Sequence, residues 1–258
     1  MKADRSGNMK PRLQTTQSQG HYPGRQPATR RKRWLTWINC RWPLLLTVIF
    51  GVWLGLPWLA PVFMKLGWTT GAEAIYFLYA LQCHQLPQRS FFLFGEKSMY
   101  SLAEIQAAWQ TTDDPLILRQ FVGSPELGWK VAWSDRMVYM YTSILVFGWF
   151  YWPLRRRIRP LPLWAIALFF VPLAIDGGSH VISDLSGLSS GFRASNEWLA
   201  ALTGSIFSDS FYAGDALGSF NAWMRLLTGL LAGIGLAWLA CPFLEETWLR
   251  TKRDENTL

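Results

Sequence analysis

Read for where charge is missing, the chain divides into a few long apolar runs joined by polar stretches. No charged residue lies between Trp42 and Met64, and at about 1.5 Å per residue a helix of that length crosses a hydrocarbon core of about 30 Å. A second uncharged run extends from Met137 to Leu154, a third from Pro160 to Ile175 and a fourth from Leu226 to Leu244. The third is short, and Asp176 at its end suits the membrane interface. The fourth carries Gly229, Ala232, Gly233 and Gly235, small residues that let helices approach closely. The pattern predicts an all-α fold, a polytopic transmembrane helical bundle of about four spans with helical inserts.

The stretch from Leu66 to Gln82 is also apolar but is broken by Glu73. A further span there would reverse every later segment, so it is read as a helix lying on or dipping into the membrane face, alongside Phe91 to Phe94. Residues 96–136 form a folded insert in which Ser101-Leu102-Ala103-Glu104 opens a short helix as a capping box. Two similar phrases, Ser195 to Gly204 and Phe220 to Gly229, share Asn-x-Trp and Leu-Thr-Gly and predict two helices that start alike.

Composition agrees with a membrane setting. Half of the chain is apolar and 16% is charged, well under the roughly 25% usual in soluble domains. The 16 Trp and 8 Tyr suit rings held at headgroup level. A net charge of +8 raises the question of nucleic acid, but ten of the 25 Lys and Arg residues precede Pro43. Basic residues just ahead of an apolar run read as a topology signal and as contact with anionic lipids of the bilayer, worth about 1 kcal/mol each near the surface. No nucleic acid is expected, and a protein partner is left open.

Residues 1–41 read as a disordered basic tail, 42–245 as the transmembrane domain and 246–258 as a C-terminal tail. A secretory signal is the competing reading of the N-terminus, but its charged region is too long and no small-x-small cleavage site follows. Keeping Lys and Arg inside puts both termini and the turn Arg155, Arg156, Arg157, Arg159 on the cytoplasmic side of an inner membrane. Segments 65–136 and 176–225 are then extracytoplasmic, and the inner side holds 17 of the 25 basic residues.

That topology separates Cys83 from Cys40 and Cys241, so no intrachain disulfide is expected. Cys83 is either a buried thiol or a ligand or reactive group. It opens the phrase Cys83-His84-Gln85, closed by Arg89-Ser90. On the second outer segment Asp176, His180 and Asp184 recur at i, i+4 and i+8, one helix face with ends about 12 Å apart. The candidate cluster is Cys83, His84, Gln85, Arg89, Arg136, Asp176, His180, Asp184 and Arg225. Its bland reading is a network in which the acids and His cap helices and pair with Arg89, Arg136, Arg193 or Arg225. The sharper one is zinc held by Asp176, His180 and His84 with a water. A proton or substrate relay is the third. No nucleotide loop, Gly-x-Ser-x-Gly elbow or His-Glu-x-x-His helix is present.

At these residues the chain resembles an uncharacterised family of bacterial polytopic membrane proteins, catalogued as a domain of unknown function. The resemblance rests on Cys83-His84-Gln85 with Arg89-Ser90-Phe91-Phe92, on Gly128 to Ala132 leading to Arg136, on Asp176-Gly177-Gly178, and on Arg225 to Gly229. It spans roughly residues 45–245. Similar proteins tend to carry a second cysteine where this chain has Ser134, which argues against an obligatory two-cysteine arrangement here. The resemblance implies a membrane location and a shared polar core without a known reaction. The leading expectation is a non-enzymatic membrane protein whose outer polar cluster organises the bundle or binds a small ligand or partner. The alternatives are a zinc-dependent membrane hydrolase and an oligomeric transporter.

Overall fold

The computed structural model describes residues 41–155 and 157–257, with side chains through Arg250 and at Arg253. The expected basic tail, apart from Arg41, therefore lies outside the described residues, as do Cys40 and Arg156.

Four long helices carry the architecture. These are α1 (Trp42–Lys65), α5 (Asp135–Leu154), α6 (Leu163–Asp184) and α10 (Phe220–Thr257). Three have the length and apolarity to cross a membrane: Trp42–Lys65, Leu163–Asp184 and the Phe220–Arg250 part of α10. The 20 residues of α5 span about 30 Å as well, and α5 packs between α1 and α10, while α6 lies on the other side of α10. The protein is thus a predominantly helical membrane protein of about four spans.

The small residues of α10 set how closely these helices approach. A Cβ on Gly233 would collide with Ser143 Oγ and Met140 O of α5, and one on Gly235 with Phe169 of α6. The opposite faces remain apolar and uncovered. Leu163, Leu168, Val171, Ile175 and Ile182 of α6 are all exposed, an arrangement that lipid accepts and water does not.

The segment after α1 folds back as α2 (Thr69–Ala80). Its 12 residues reach only about 18 Å, too short to cross. It packs against α1, with Tyr79 donating to Trp53 O at 2.8 Å.

The insert holds a three-stranded sheet that the hydrophobic pattern does not show. Strands β1 (Ser90–Leu93), β2 (Gly123–Ser124) and β3 (Gly128–Ser134) run in the antiparallel order β1-β3-β2, with Ser90 opposite Ser134 and Phe92 opposite Lys130. Phe91 to Leu93 therefore belong to a strand rather than to a surface-lying apolar segment. No alternation marks β3 because it is covered on both sides, and every residue except Trp129 is buried.

Around the sheet, α3 (Leu102–Ala108) begins with the expected capping box between Ser101 and Glu104, and α4 (Pro115–Leu118) follows. Phe92, Tyr100, Ile105, Leu118 and Phe121 form a small second core, which Leu188 from beyond α6 helps to close. A larger core joins α1, α2 and β3 around Trp133, which stacks on Tyr141 at 4.6 Å and meets Tyr79 edge-on at 4.9 Å.

Between α6 and α10 lie three short helices, α7 (Phe192–Ser195), α8 (Glu197–Thr203) and α9 (Asp209–Tyr212). The two similar phrases do not start their helices alike. Asn196 precedes α8 with a left-handed backbone, φ 46°, whereas Asn221 lies inside α10. They converge instead, because both side-chain amides donate to Arg193 O, at 3.0 and 2.7 Å.

Candidate functional site

The helices bring their polar ends together where α1 and α6 finish and α5 and α10 begin. On α6 the helix continues about two and a half turns past the end of the uncharged run at Ile175, through Gly177-Gly178 without a break to Asp184. Asp176, His180 and Ser183 share its buried face. Gly177 leaves room for an arginine, since a Cβ there would lie 3.0 Å from Arg136 Nη1.

Four arginines and four aspartates interlock at this end. Arg225 places Nε against both Asp135 oxygens at 2.9 Å and donates from Nη1 to Asp215 at 2.7 Å. Arg89 forks onto Asp184 at 2.7 and 2.9 Å and reaches Asp215 through Nε at 2.8 Å. Asp176 is bound by Arg136 at 2.7 Å and by Arg193. Arg225 is 2% exposed and Asp135 fully buried, so each charge depends on its partners. Burial works against the Arg89 charge, but Asp215 and Asp184 more than offset it and hold its pKa above the ordinary value. Burial likewise opposes the Asp215 anion, and Arg89 and Arg225 overcome it and hold its pKa below the usual range.

The Cys-His-Gln phrase joins this end to the sheet. Gln85 has φ 52°, a strained conformation for a side-chain-bearing residue, and is held there by donating to Tyr76 O at 2.8 Å and Ala132 O at 2.9 Å. Cys83 is a buried free thiol, and its sulfur receives the backbone N–H of Ser134 at 3.4 Å. Ser134 thus stands beside Cys83. His84 is exposed.

A cavity of about 290 Å³ opens among these groups, with Cys83, His84, Arg89, Arg136, His180 and Arg225 in its wall. His180 is 4% exposed, and Arg193 Nη2 lies 3.2 Å from its Nε2. Because a guanidinium only donates, Nε2 accepts and the ring proton sits on Nδ1. That Nδ1 is buried without a partner, as is Arg136 Nε.

The expected zinc trio is not gathered. Among the described residues no group of three or more His, Cys, Asp or Glu is placed to hold a metal. Arg193 bridges Asp176 and His180, where the metal would have to sit. The candidate residues Arg89, Arg136, Asp176, Asp184 and Arg225 do come together, as paired ions.

With that geometry established, similarity to known proteins can be placed on it. Residues 126–213 match a family described as "Predicted membrane protein (DUF2085)". That family is a domain of unknown function, and the matched segment carries β3, Arg136, Asp176, His180, Asp184 and Arg193 but neither the Cys83 phrase nor Arg225. An uncharacterized protein of the archaeon Methanocaldococcus jannaschii is 28% identical over 164 residues, covering 60% of this chain and 78% of its own length. No solved structure matches the chain.

Three site residues escaped the sequence reading. Asp135 sits in the first turn of a helix, where an acid ordinarily answers the helix dipole, so nothing in the pattern marks it as a buried partner. Asp215 lies in a loop with no periodic signal. Lys130 is fully buried in β3, donating to Gln85 O at 2.9 Å and Arg119 O at 2.6 Å. Burial pushes its pKa down to about 7, and a neutral amine has two N–H groups, enough for both carbonyls.

Proposed function

We propose that this protein is a non-catalytic integral membrane protein that binds a small polar ligand in the cavity at the clamped end of its bundle. The observation that carries the reading is the wall of that cavity. Arg136 and His180 sit in a fully formed ion network and yet retain buried donors without partners, and such groups are costly unless something fills them. The network holds the donors in place before binding, which lowers the ordering cost of capture. Hydrolysis draws no comparable support, since the carboxylates a hydrolase would use are committed to arginines.

The cavity faces the extracytoplasmic side in this reading, with both termini cytoplasmic and the N-terminal basic residues against anionic lipids. The support is the distribution of charge. Arg41, Arg155, Arg157, Arg159 and Arg250 lie at the ends of the helices remote from the cavity, as retention of positive charge inside requires.

Native mass spectrometry of the protein extracted in mild detergent tests the ligand. A small adduct is expected on the wild type and is expected to vanish in an Arg136→Gln, His180→Gln variant that still melts cooperatively. A wild type with no adduct, or one whose adduct survives those changes, would sink the reading.

A further inference from the structure

The class of ligand can be narrowed further, resting on the cavity being a ligand site. Two of its groups are buried without a partner, His180 Nδ1 and Arg136 Nε, and both are donors. His180 must carry its proton on Nδ1 because Arg193 occupies Nε2, and Arg136 spends a single guanidinium bond, from Nη2 to Asp176, leaving Nε buried and empty. Asp184, the carboxylate in the wall, has both oxygens forked by Arg89. A ligand that satisfies this wall brings acceptors and negative charge, and arginine forks suit tetrahedral oxyanions.

Charge and surroundings narrow the class again. Four arginines and four aspartates balance across the network, so the wall attracts an anion by local donors rather than by large excess charge, which suits one negative charge better than two. The wall also contains Val181 and Met137. Val181 is 63% exposed and continues the apolar face of α6 through Ile182 and Leu185. An opening bordered by exposed apolar residues suits a polar head that keeps its apolar remainder in the bilayer.

We infer that the cavity binds a singly charged phosphate ester, its phosphate on Arg136 and His180 and its substituent leaving past Val181. The same chemistry is offered by a phospholipid headgroup and by a soluble phosphodiester.

Thermal unfolding and native mass spectrometry of the full chain in detergent separate the two sources. The probes are phosphatidylglycerol, diacylglycerol, glycerophosphoglycerol and inorganic phosphate. A single bound phosphatidylglycerol with a raised midpoint, and no response to diacylglycerol, supports the phosphate and a lipid source. An equal response to glycerophosphoglycerol supports the phosphate with a soluble source, and a response to inorganic phosphate as strong as to either diester overturns the preference for a singly charged ester. Arg136→Gln should weaken the response roughly tenfold or more, as expected for one lost charge-assisted contact, and Asp176 keeps Arg193 in that variant. Val181→Trp, which touches no ion pair, should weaken the lipid and spare inorganic phosphate. Because the basic N-terminal residues also attract anionic lipid, binding must survive replacement of Arg30, Arg31, Lys32 and Arg33 by Gln. Binding that is lost with that change but survives both cavity variants overturns the inference. A phosphorus-free adduct that both cavity variants abolish overturns the phosphate while leaving the ligand site standing.

Discussion

At one end of the bundle Arg89, Arg193 and Arg225 are buried and each is hydrogen-bonded to an aspartate. At the other end Arg157 and Arg159 are exposed, and Arg155 meets Glu245 at 3.4 Å with its side chain still 28% exposed. Glu245 also accepts from Trp42 Nε1 at 3.3 Å. The same residue type therefore does two jobs. In the exposed turn its charge stays solvated and matters for which side of the membrane the turn occupies. In the buried cluster it has left water, so its geometry must be complete.

The largest test of that contrast is Arg225→Met. Asp135 would keep the Arg136 backbone N–H at 2.7 Å but lose its paired guanidinium, and breaking a buried pair costs about 3–5 kcal/mol. The midpoint of unfolding in detergent should fall accordingly. Adding Asp135→Leu should restore much of it, because Asp215 keeps Arg89. A loss below about 1 kcal/mol for the single change would mean that the cluster is not tightly interlocked.

Lys130 sharpens the comparison, being a buried basic side chain at the same end that has carbonyl partners in place of a carboxylate. The folded protein holds it near 7 and the unfolded chain returns it to its ordinary 10.5. Between those values the unfolded state binds more protons, so stability should climb as pH rises above about 7. Burial raises the Tyr76 pKa and produces the opposite trend above about 10, so the slope is read from pH 7 to about 9.5. It should approach 1 kcal/mol per pH unit in order of magnitude and flatten in Lys130→Met. An unchanged slope in that variant would remove Lys130 as its source.

Asn196 asks how much of the buried end rests on neutral bonds. Its amide donates to Arg193 O, Tyr212 O and Asn221. Asn196→Gly keeps the left-handed backbone open but takes a donor from Tyr212 O while Asn221 still serves Arg193 O, and should cost about 1–3 kcal/mol. A cost below about 0.5 kcal/mol would show that the ions alone fix the loop.

What the sequence discloses divides along the same line. The spans were legible because lipid demands long uncharged runs, and the helix face of Asp176, His180 and Asp184 because i, i+4 spacing is local. The pairing of Arg89 and Arg225 with Asp215 was not, since it joins residues separated by 126 and 10 positions through a loop without periodicity. Sheet strand β3 was hidden for the converse reason: covered on both sides, it loses the alternation that marks a half-buried strand. The zinc alternative finds no gathered trio among the described residues, because Arg193 stands between Asp176 and His180, a placement that no spacing rule reveals.

The smallest expected effect lies at the basic end. Arg155→Gln removes a partly exposed ion pair, and water and neighbouring charge screen most of its worth, so stability should change by no more than about 1 kcal/mol. The guanidinium also lies 4.0 Å from the centre of the Trp152 ring, a contact of about 0.5–1 kcal/mol where exposed, which Gln only partly replaces. Unfolding midpoints measured beside those of Arg225→Met give the ratio directly. If the two variants lost equal stability, the division between an anchoring end and a clamped end would fail, because burial would then make no difference to what an arginine contributes.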